Sequence, residues 1–216
     1  MIRIVEIFYS LQGEGFLAGR PSVFIRLAGC PLRCGYCDTK YAWDESAGKD
    51  YSIEQIVEAI EKYPAEFVVV TGGEPMVNPE LGKLVTAIKA VGKHITIETA
   101  GIAFATDLAC DLMSISPKLS NATPDGLDVT VLRQLVESYE YQFKFVVDRP
   151  ADIDEIDQTL TQIPNVDMAM VMLMPQATSR AEYLEKAPMV AQLCKQAHLA
   201  FSPRLQTILW NNERQF

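Results

Sequence analysis

Cys30, Cys34 and Cys37 stand within eight residues of one another and form the group in this sequence best suited to hold a metal centre. They follow an apolar stretch ending Leu27-Ala28-Gly29, so the spacing Cys-x3-Cys-x2-Cys falls on a loop leaving a predicted strand. A single wrapped loop can bring three sulfurs to one centre. A structural zinc site wants four ligands, commonly two cysteine pairs or one pair with histidines. Cys110 and Cys194 are isolated inside predicted elements, and neither His94 nor His198 belongs to a pair. Those two cysteines read as buried small hydrophobes and the histidines as structural. A disulfide framework fails because three clustered thiols cannot pair off. Three thiolates without an evident fourth ligand suggest an iron-sulfur cube with one iron left open.

Further polar residues stand at predicted strand ends. Thr71-Gly72-Gly73-Glu74-Pro75 follows the apolar run Phe67 to Val70. Its two glycines let a backbone approach a ligand closely, and strand-end carbonyls with the Glu74 carboxylate suit an ammonium. An ordinary turn explains the same residues. Ser116-Pro117-Lys118 closes another strand, where Lys118 can reach a carboxylate and Ser116 a ribose or carboxylate; a plain polar strand exit fits too. Gln142 and Lys144 alternate with Phe143 and Phe145, which puts both polar side chains on one face of a strand, and Pro175-Gln176 closes the next strand similarly. Ligand contacts and solvated faces account equally well for these. Upstream, Gln12 and Glu14 offer an amide and a carboxylate for hydrogen bonding. Arg26 can grip a carboxylate bidentately or form a structural ion pair.

The elements that must position these groups alternate between strand and helix. Strands are predicted over Ile2–Tyr9, Ser22–Ala28, Phe67–Thr71, His94–Thr99, Leu112–Ser116, Tyr141–Val147 and Ala169–Met174. Several are continuously apolar, as strands covered on both faces should be. Ser52 with Gln55 predicts a capping box opening a helix, and Asn78-Pro79 predicts a second start, with Asn78 as cap. Three more helices are expected over Val129–Glu137, Ala151–Gln162 and Ser179–His198. The alternation implies one α/β domain over residues 1–216, built on parallel strands with right-handed crossovers. About six core strands are too few for a closed eight-stranded barrel, so a doubly wound sheet or a partial barrel is expected, with ligands at the carboxyl ends of the strands.

Composition bounds the partners. The chain has 216 residues, 28 acidic against 19 basic, for a formal charge of −9, and 49% apolar residues. These values exclude disordered and fibrous classes, and the acidic balance argues against a nucleic-acid partner or an anionic lipid surface. The opening Met1–Ile7 carries an acid too early for a secretory signal, and no run approaches a membrane span, so a cytoplasmic, reducing location is the expectation.

The cysteine spacing, with Thr-Gly-Gly-Glu-Pro downstream, resembles the radical S-adenosylmethionine superfamily. That resemblance implies a partial, TIM-like barrel and a 4Fe-4S cluster on Cys30, Cys34 and Cys37. The open iron would chelate the amino and carboxylate groups of S-adenosylmethionine, and one-electron reduction would release a 5'-deoxyadenosyl radical. It also implies cosubstrate contacts at Tyr36, Asp38, Gly73, Glu74, Ser116, Pro117, Lys118, Gln142, Lys144 and Gln176. Gly73 leads this set, and loop packing is an equal alternative for Tyr36.

Gln12-Gly13-Glu14-Gly15, Gly19-Arg20-Pro21-Ser22, Cys37-Asp38-Thr39 and the Leu209-Trp210-Asn211 region narrow the resemblance to the 7-carboxy-7-deazaguanine synthase family, over nearly the whole chain. Membership would imply contraction of 6-carboxy-5,6,7,8-tetrahydropterin to 7-carboxy-7-deazaguanine with loss of ammonia, in queuosine and other deazapurine biosynthesis. Substrate contacts are then expected at Gln12, Gly13, Glu14, Arg26, Thr71 and the terminal carboxylate of Phe216, with magnesium on Thr39. A homodimer and a flavodoxin-like electron donor are further implications. Two rivals stay open: a glycyl-radical activase using the same cluster, and a non-enzymatic module whose cysteines staple a loop.

Overall fold

The computed structural model describes residues 1–123, 127–211 and 213. Among these residues nine strands form one sheet: β1 (Ile2–Leu11), β2 (Pro21–Leu27), β3 (Lys49–Tyr51), β4 (Phe67–Gly72), β5 (His94–Thr99), β6 (Leu112–Ile115), β7 (Tyr141–Val147), β8 (Val171–Pro175) and β9 (Ala200–Phe201). Their order is β3-β1-β2-β4-β5-β6-β7-β8-β9. From β2 through β4 to β9 every neighbouring pair is parallel. The six expected core strands are therefore present, with the two-residue β9 extending the run. Because β3 and β9 stand at opposite ends of that order, the sheet is open and the architecture is a partial barrel.

β1 departs from the parallel pattern, pairing antiparallel with both β2 and β3. Residues 12–20 joining β1 to β2 hold no helix, and a parallel return needs a crossover of a dozen or more residues. β8 starts two residues later than expected, after a 3-10 turn at Met168–Met170 that Asp167 caps through a 2.9 Å bond from the Ala169 N–H.

Among the described residues six α-helices accompany the sheet: α1 (Ile53–Glu61), α2 (Leu81–Ala90), α3 (Val129–Ser138), α4 (Asp152–Thr161), α5 (Arg180–Ala197) and α6 (Leu205–Trp210). Ser52 and Gln55 form the expected reciprocal capping box of α1. Asn78 does not cap α2: its carboxamide oxygen accepts from the Glu80 N–H at 3.0 Å, and the helix starts at Leu81 after that turn. His198 ends α5 in the left-handed conformation.

The two faces of the sheet differ sharply. Val23, Ile25, Leu27, Val68, Val70, Ile95, Ile97, Met113, Ile115, Phe143, Phe145 and Leu173 enter the core with the buried sides of the helices. Their alternates, Phe24, Arg26, Thr71, Glu98, Ser114, Lys144, Val146 and Met174, line a cavity. β1 achieves this division by a bulge. Ile4 pairs with Leu27 but Glu6 with Arg26, so Val5 is an extra residue. That insertion reverses the alternation: Ile2 and Ile4 lie in the core, while Glu6, Phe8 and Ser10 line the cavity.

Candidate active site

The cavity has a volume of about 320 Å³ and lies over the carboxyl-end half of the parallel strands. Sixteen of the residues proposed from sequence line it: Gln12, Gly13, Glu14, Arg26, Cys30, Cys34, Tyr36, Cys37, Asp38, Thr39, Thr71, Gly73, Glu74, Ser116, Lys118 and Lys144. Pro117, Gln142 and Gln176 are not among the lining residues. Gln142 donates to Ser114 Oγ at 2.8 Å and accepts from the Phe16 N–H at 2.9 Å, so its amide ties β6 to the loop after β1. Gln176 accepts from Lys186. Phe216 lies outside the described residues.

The thiol loop is pinned at both ends by backbone bonds. The Gly29 and Cys30 N–H groups donate to the Ala42 and Trp43 carbonyls at 2.9 and 3.1 Å, and the Gly35 N–H donates to Ala122 at 3.1 Å. Cys34 is buried and Cys30 and Cys37 half-buried; all five cysteines of the chain are free thiols. Burial raises the pKa of Cys30 and Cys34, and each is raised further by its neighbouring thiols. Lys118 opposes this at Cys34, favouring the thiolate. Among the described residues no three His, Cys, Asp or Glu side chains are drawn together at metal-ligand spacing. Even so, three soft donors on one loop that lines the cavity are the donor set an iron-sulfur cluster takes. Cys110 and Cys194 pack with the core, as expected; burial lifts the Cys110 thiol to about 11.

At the end of β4, the glycines solve a steric problem. Gly72 has φ +132°, and a Cβ on Gly73 would stand 1.8 Å from the Gly29 carbonyl oxygen. The Gly73 and Glu74 N–H groups donate to Leu27 and Gly29 at 2.9 and 2.8 Å, which fastens this turn to the start of the cysteine loop. Gly73→Ala is therefore expected to force the two loops apart, with loss of about 2 kcal/mol or more in a urea melt; an unchanged midpoint would refute the close approach. The Glu74 carboxylate is already committed, accepting from Thr99 Oγ1 and the Ala100 N–H at 2.7 Å and from Met76 N–H at 3.1 Å. These three donors hold the carboxylate in place and leave about one of its four lone-pair sites for the expected ligand ammonium, beside the backbone carbonyls of this turn.

Charge in the cavity is almost wholly paired. Arg26 donates through Nε to Glu6 at 2.7 Å, and Tyr41 donates to the same carboxylate at 2.8 Å. The ion pair considered for Arg26 therefore exists, and a ligand carboxylate would have to be met end-on by its two Nη groups. Lys144, 2% exposed, joins Glu14 at 2.9 Å and Glu98 at 3.0 Å. Arg204 adds a 3.2 Å contact to Glu14 and a bond to Asp38, and Gln206 donates to Glu14 at 2.7 Å. Burial would raise the Glu14 pKa, but Lys144 and Arg204 outweigh it and pull the carboxyl down to about 2. Lys118 differs: its bonds go to Ser116 O and Oγ, both 2.8 Å, so among the described lining residues it is a cation with neutral hydrogen-bond partners. Burial lowers its pKa, and a bound anion would relieve that cost.

Sequence reasoning passed over Glu6, Tyr41, Glu98, Arg204, Gln206, Trp210 and Glu213, all of which line the cavity. The one signal for Glu6 was its place two residues past an apolar pair in β1, where alternation alone assigns it to the core face.

The sequence profile of the Radical SAM superfamily matches residues 24–168. A 7-carboxy-7-deazaguanine synthase from Halobacterium salinarum is 38% identical over 97% of this chain and 90% of its own. One from Pyrobaculum aerophilum is 39% identical over 99% of this chain and 96% of its own. Among solved structures, QueE from Escherichia coli superposes with a TM-score of 0.74 at 27% identity, covering 93% of this chain and 92% of that one.

Proposed function

The chain belongs to the 7-carboxy-7-deazaguanine synthase family of the Radical SAM superfamily, and on that premise we propose how its cavity makes 7-carboxy-7-deazaguanine from 6-carboxy-5,6,7,8-tetrahydropterin with release of ammonia. The observation that carries the reading is one cavity lined by the three thiols of the Cys30–Cys37 loop together with Gln12, Glu14, Arg26 and Thr71. When bound on Cys30, Cys34 and Cys37, a 4Fe-4S cluster with S-adenosylmethionine would supply a carbon radical able to take hydrogen from an unactivated C–H bond.

The protein's own residues bind and orient. Lys118 meets the cosubstrate carboxylate, the Gly73 region offers carbonyls to its ammonium, and Tyr36 supplies an aromatic wall. Gln12 donates to Ser22 Oγ at 3.0 Å, which directs its amide oxygen to a substrate N–H. Glu14, held ionised at neutral pH, accepts from the amino edge of the pterin. Three protein donors already occupy this carboxylate, which has about four lone-pair sites, so one site remains. Arg26 takes the substrate carboxylate end-on, and Thr71, opposite Arg26 in the parallel register, adds a hydroxyl.

Magnesium belongs to this reading through Thr39. Its Oγ1 donates to Asp38 Oδ1 at 2.7 Å, leaving the oxygen lone pairs for a hard cation that keeps several waters and takes one or two protein oxygens. Thr39→Ala is expected to raise the magnesium concentration for half-maximal turnover about tenfold; an unchanged magnesium titration would refute the assignment. The reading also takes residues 1–216 as one domain, supported by the single nine-stranded sheet. It places the enzyme in a reducing cytoplasm, consistent with five free thiols and with no described helix able to cross a membrane. A homodimer and a flavodoxin-type donor complete it.

The test is product formation from the carboxytetrahydropterin by anaerobically reconstituted, reduced protein. Turnover yielding 5'-deoxyadenosine alone would overturn the substrate assignment and leave the superfamily assignment standing.

A further inference from the structure

We infer that Arg204 is the positioning residue that fixes the substrate end of the cavity against its magnesium end, an inference that rests on the roles proposed above for Glu14 and Thr39. Its side chain is 8% exposed and its guanidinium reaches three acceptors on three distant segments: Glu14 Oε1 through Nε, Asp38 Oδ2 through Nη2, and the Ala177 carbonyl through Nη1. Asp38 in turn holds the Thr39 hydroxyl at 2.7 Å through its other oxygen. Glu14, Arg204, Asp38 and Thr39 thus form one unbroken series across the cavity.

A guanidinium is planar, with its N–H groups in a fixed fork. Two carboxylates bound to it take their separation and orientation from that plane, and the positive charge relieves their mutual repulsion. Backbone bonds hold the fork itself: Ser202 N–H donates to Leu173 and Leu205 N–H to Gly13, both at 2.9 Å. A lysine would supply the charge without the fork, so it could serve one carboxylate well but could not set the geometry of both. Arg204 touches no reacting atom in this scheme; it works through its two acids.

The experiment compares reconstituted wild type, Arg204→Lys and Arg180→Ala. Arg180 anchors the end of α6 through the Ile208 and Leu209 carbonyls at 2.6 and 2.9 Å, so its loss loosens the same helix without touching Glu14 or Asp38. Arg204→Lys is expected to weaken calorimetric binding of the carboxypterin about tenfold. It should also raise the magnesium requirement about tenfold and release more 5'-deoxyadenosine per product. Arg180→Ala should lower Tm and leave all three unchanged. Should Arg204→Lys fail to fold, Asp38→Asn removes the ionic arm to Asp38 and is expected to shift the magnesium titration in the same sense. Pterin affinity, magnesium requirement and coupling all at wild-type values in the folded variant would overturn the inference. Wild type that binds the pterin but yields no product would instead sink the reaction assignment, while the calorimetric comparison still tests Arg204.

Discussion

Cys34→Ser is expected to remove iron from the reconstituted protein and to lower turnover by more than about a thousand-fold, equivalent to about 4 kcal/mol of lost transition-state stabilisation. Cys34 is the buried member of the three, and burial raises its thiol pKa while Lys118 favours the charged form. A metal bound there would complete what Lys118 begins, replacing solvent as the partner of a thiolate. Serine keeps the shape but offers a harder oxygen with a far higher pKa, a poor match for iron in a cluster. Two half-buried thiols would remain, too few to hold a cube whose fourth position belongs to the cosubstrate. Iron content and the electron paramagnetic signal of the reduced protein measure the outcome. Full iron loading with wild-type cleavage of S-adenosylmethionine would exclude Cys34 as a ligand, and with it the three-thiol centre.

Lys144→Met should have the largest effect on stability. Its ammonium lies buried between Glu14 and Glu98, and removing one partner from a buried ion pair typically costs about 3–5 kcal/mol. The lower end, about 3 kcal/mol, is expected, because Arg204 still faces Glu14 and Glu98 is partly hydrated. The pH dependence gives an independent check. Glu14 titrates near 2 in the folded protein against 4.5 for the unfolded group. A depressed folded pKa contributes stability that is fully present above the unfolded value and is lost as pH falls through the folded one. Wild type should therefore lose on the order of 3 kcal/mol between about pH 5 and pH 2 from this residue, and Lys144→Met should lose less over the same window. Urea melts at pH 7 and pH 3 decide it. A loss at pH 7 below about 0.5 kcal/mol, or an unaltered acid slope, would refute the coupling.

What the sequence made legible was whatever is local along the chain. Three cysteines in one loop, Gly-Gly-Glu-Pro after an apolar strand and Ser-Pro-Lys after another need only a strand end to position them, and continuous apolar runs with helical intervals specify parallel strands. The parts that stayed hidden depend on pairings remote in sequence. Arg204 and Glu14 are 190 positions apart, and nothing in either segment announces the other. Glu6 reached the cavity only because a one-residue bulge reversed the alternation of β1. Gln142 shares a face with Lys144, yet two residues along the strand its amide meets Ser114 and Phe16 instead of the cavity. Glu74 is anchored by two donors at the end of β5, Thr99 Oγ1 and the Ala100 N–H, as well as by the Met76 N–H, and the Thr71–Pro75 motif contains none of the three. β3 and β9, three and two residues long, are too short for any alternation to show.

The loop after β1 is sewn to the segment before α6 and to the first turn of that helix by Gly15 N–H to Ser202 Oγ, Leu205 N–H to Gly13 O and the side chains of Arg204 and Gln206 on Glu14. During synthesis, the residues after β1 leave the ribosome long before their partners in these bonds exist. The parallel strands can assemble one after another as they emerge, since each pairs with a neighbour already made. Glu14 must wait, an acid destined for burial and still without its partners, until position 204 has been translated. Closure of the cavity therefore follows assembly of the earlier parallel strands, and a nascent chain arrested before residues 202–206 emerge would carry a site that cannot yet hold its pterin.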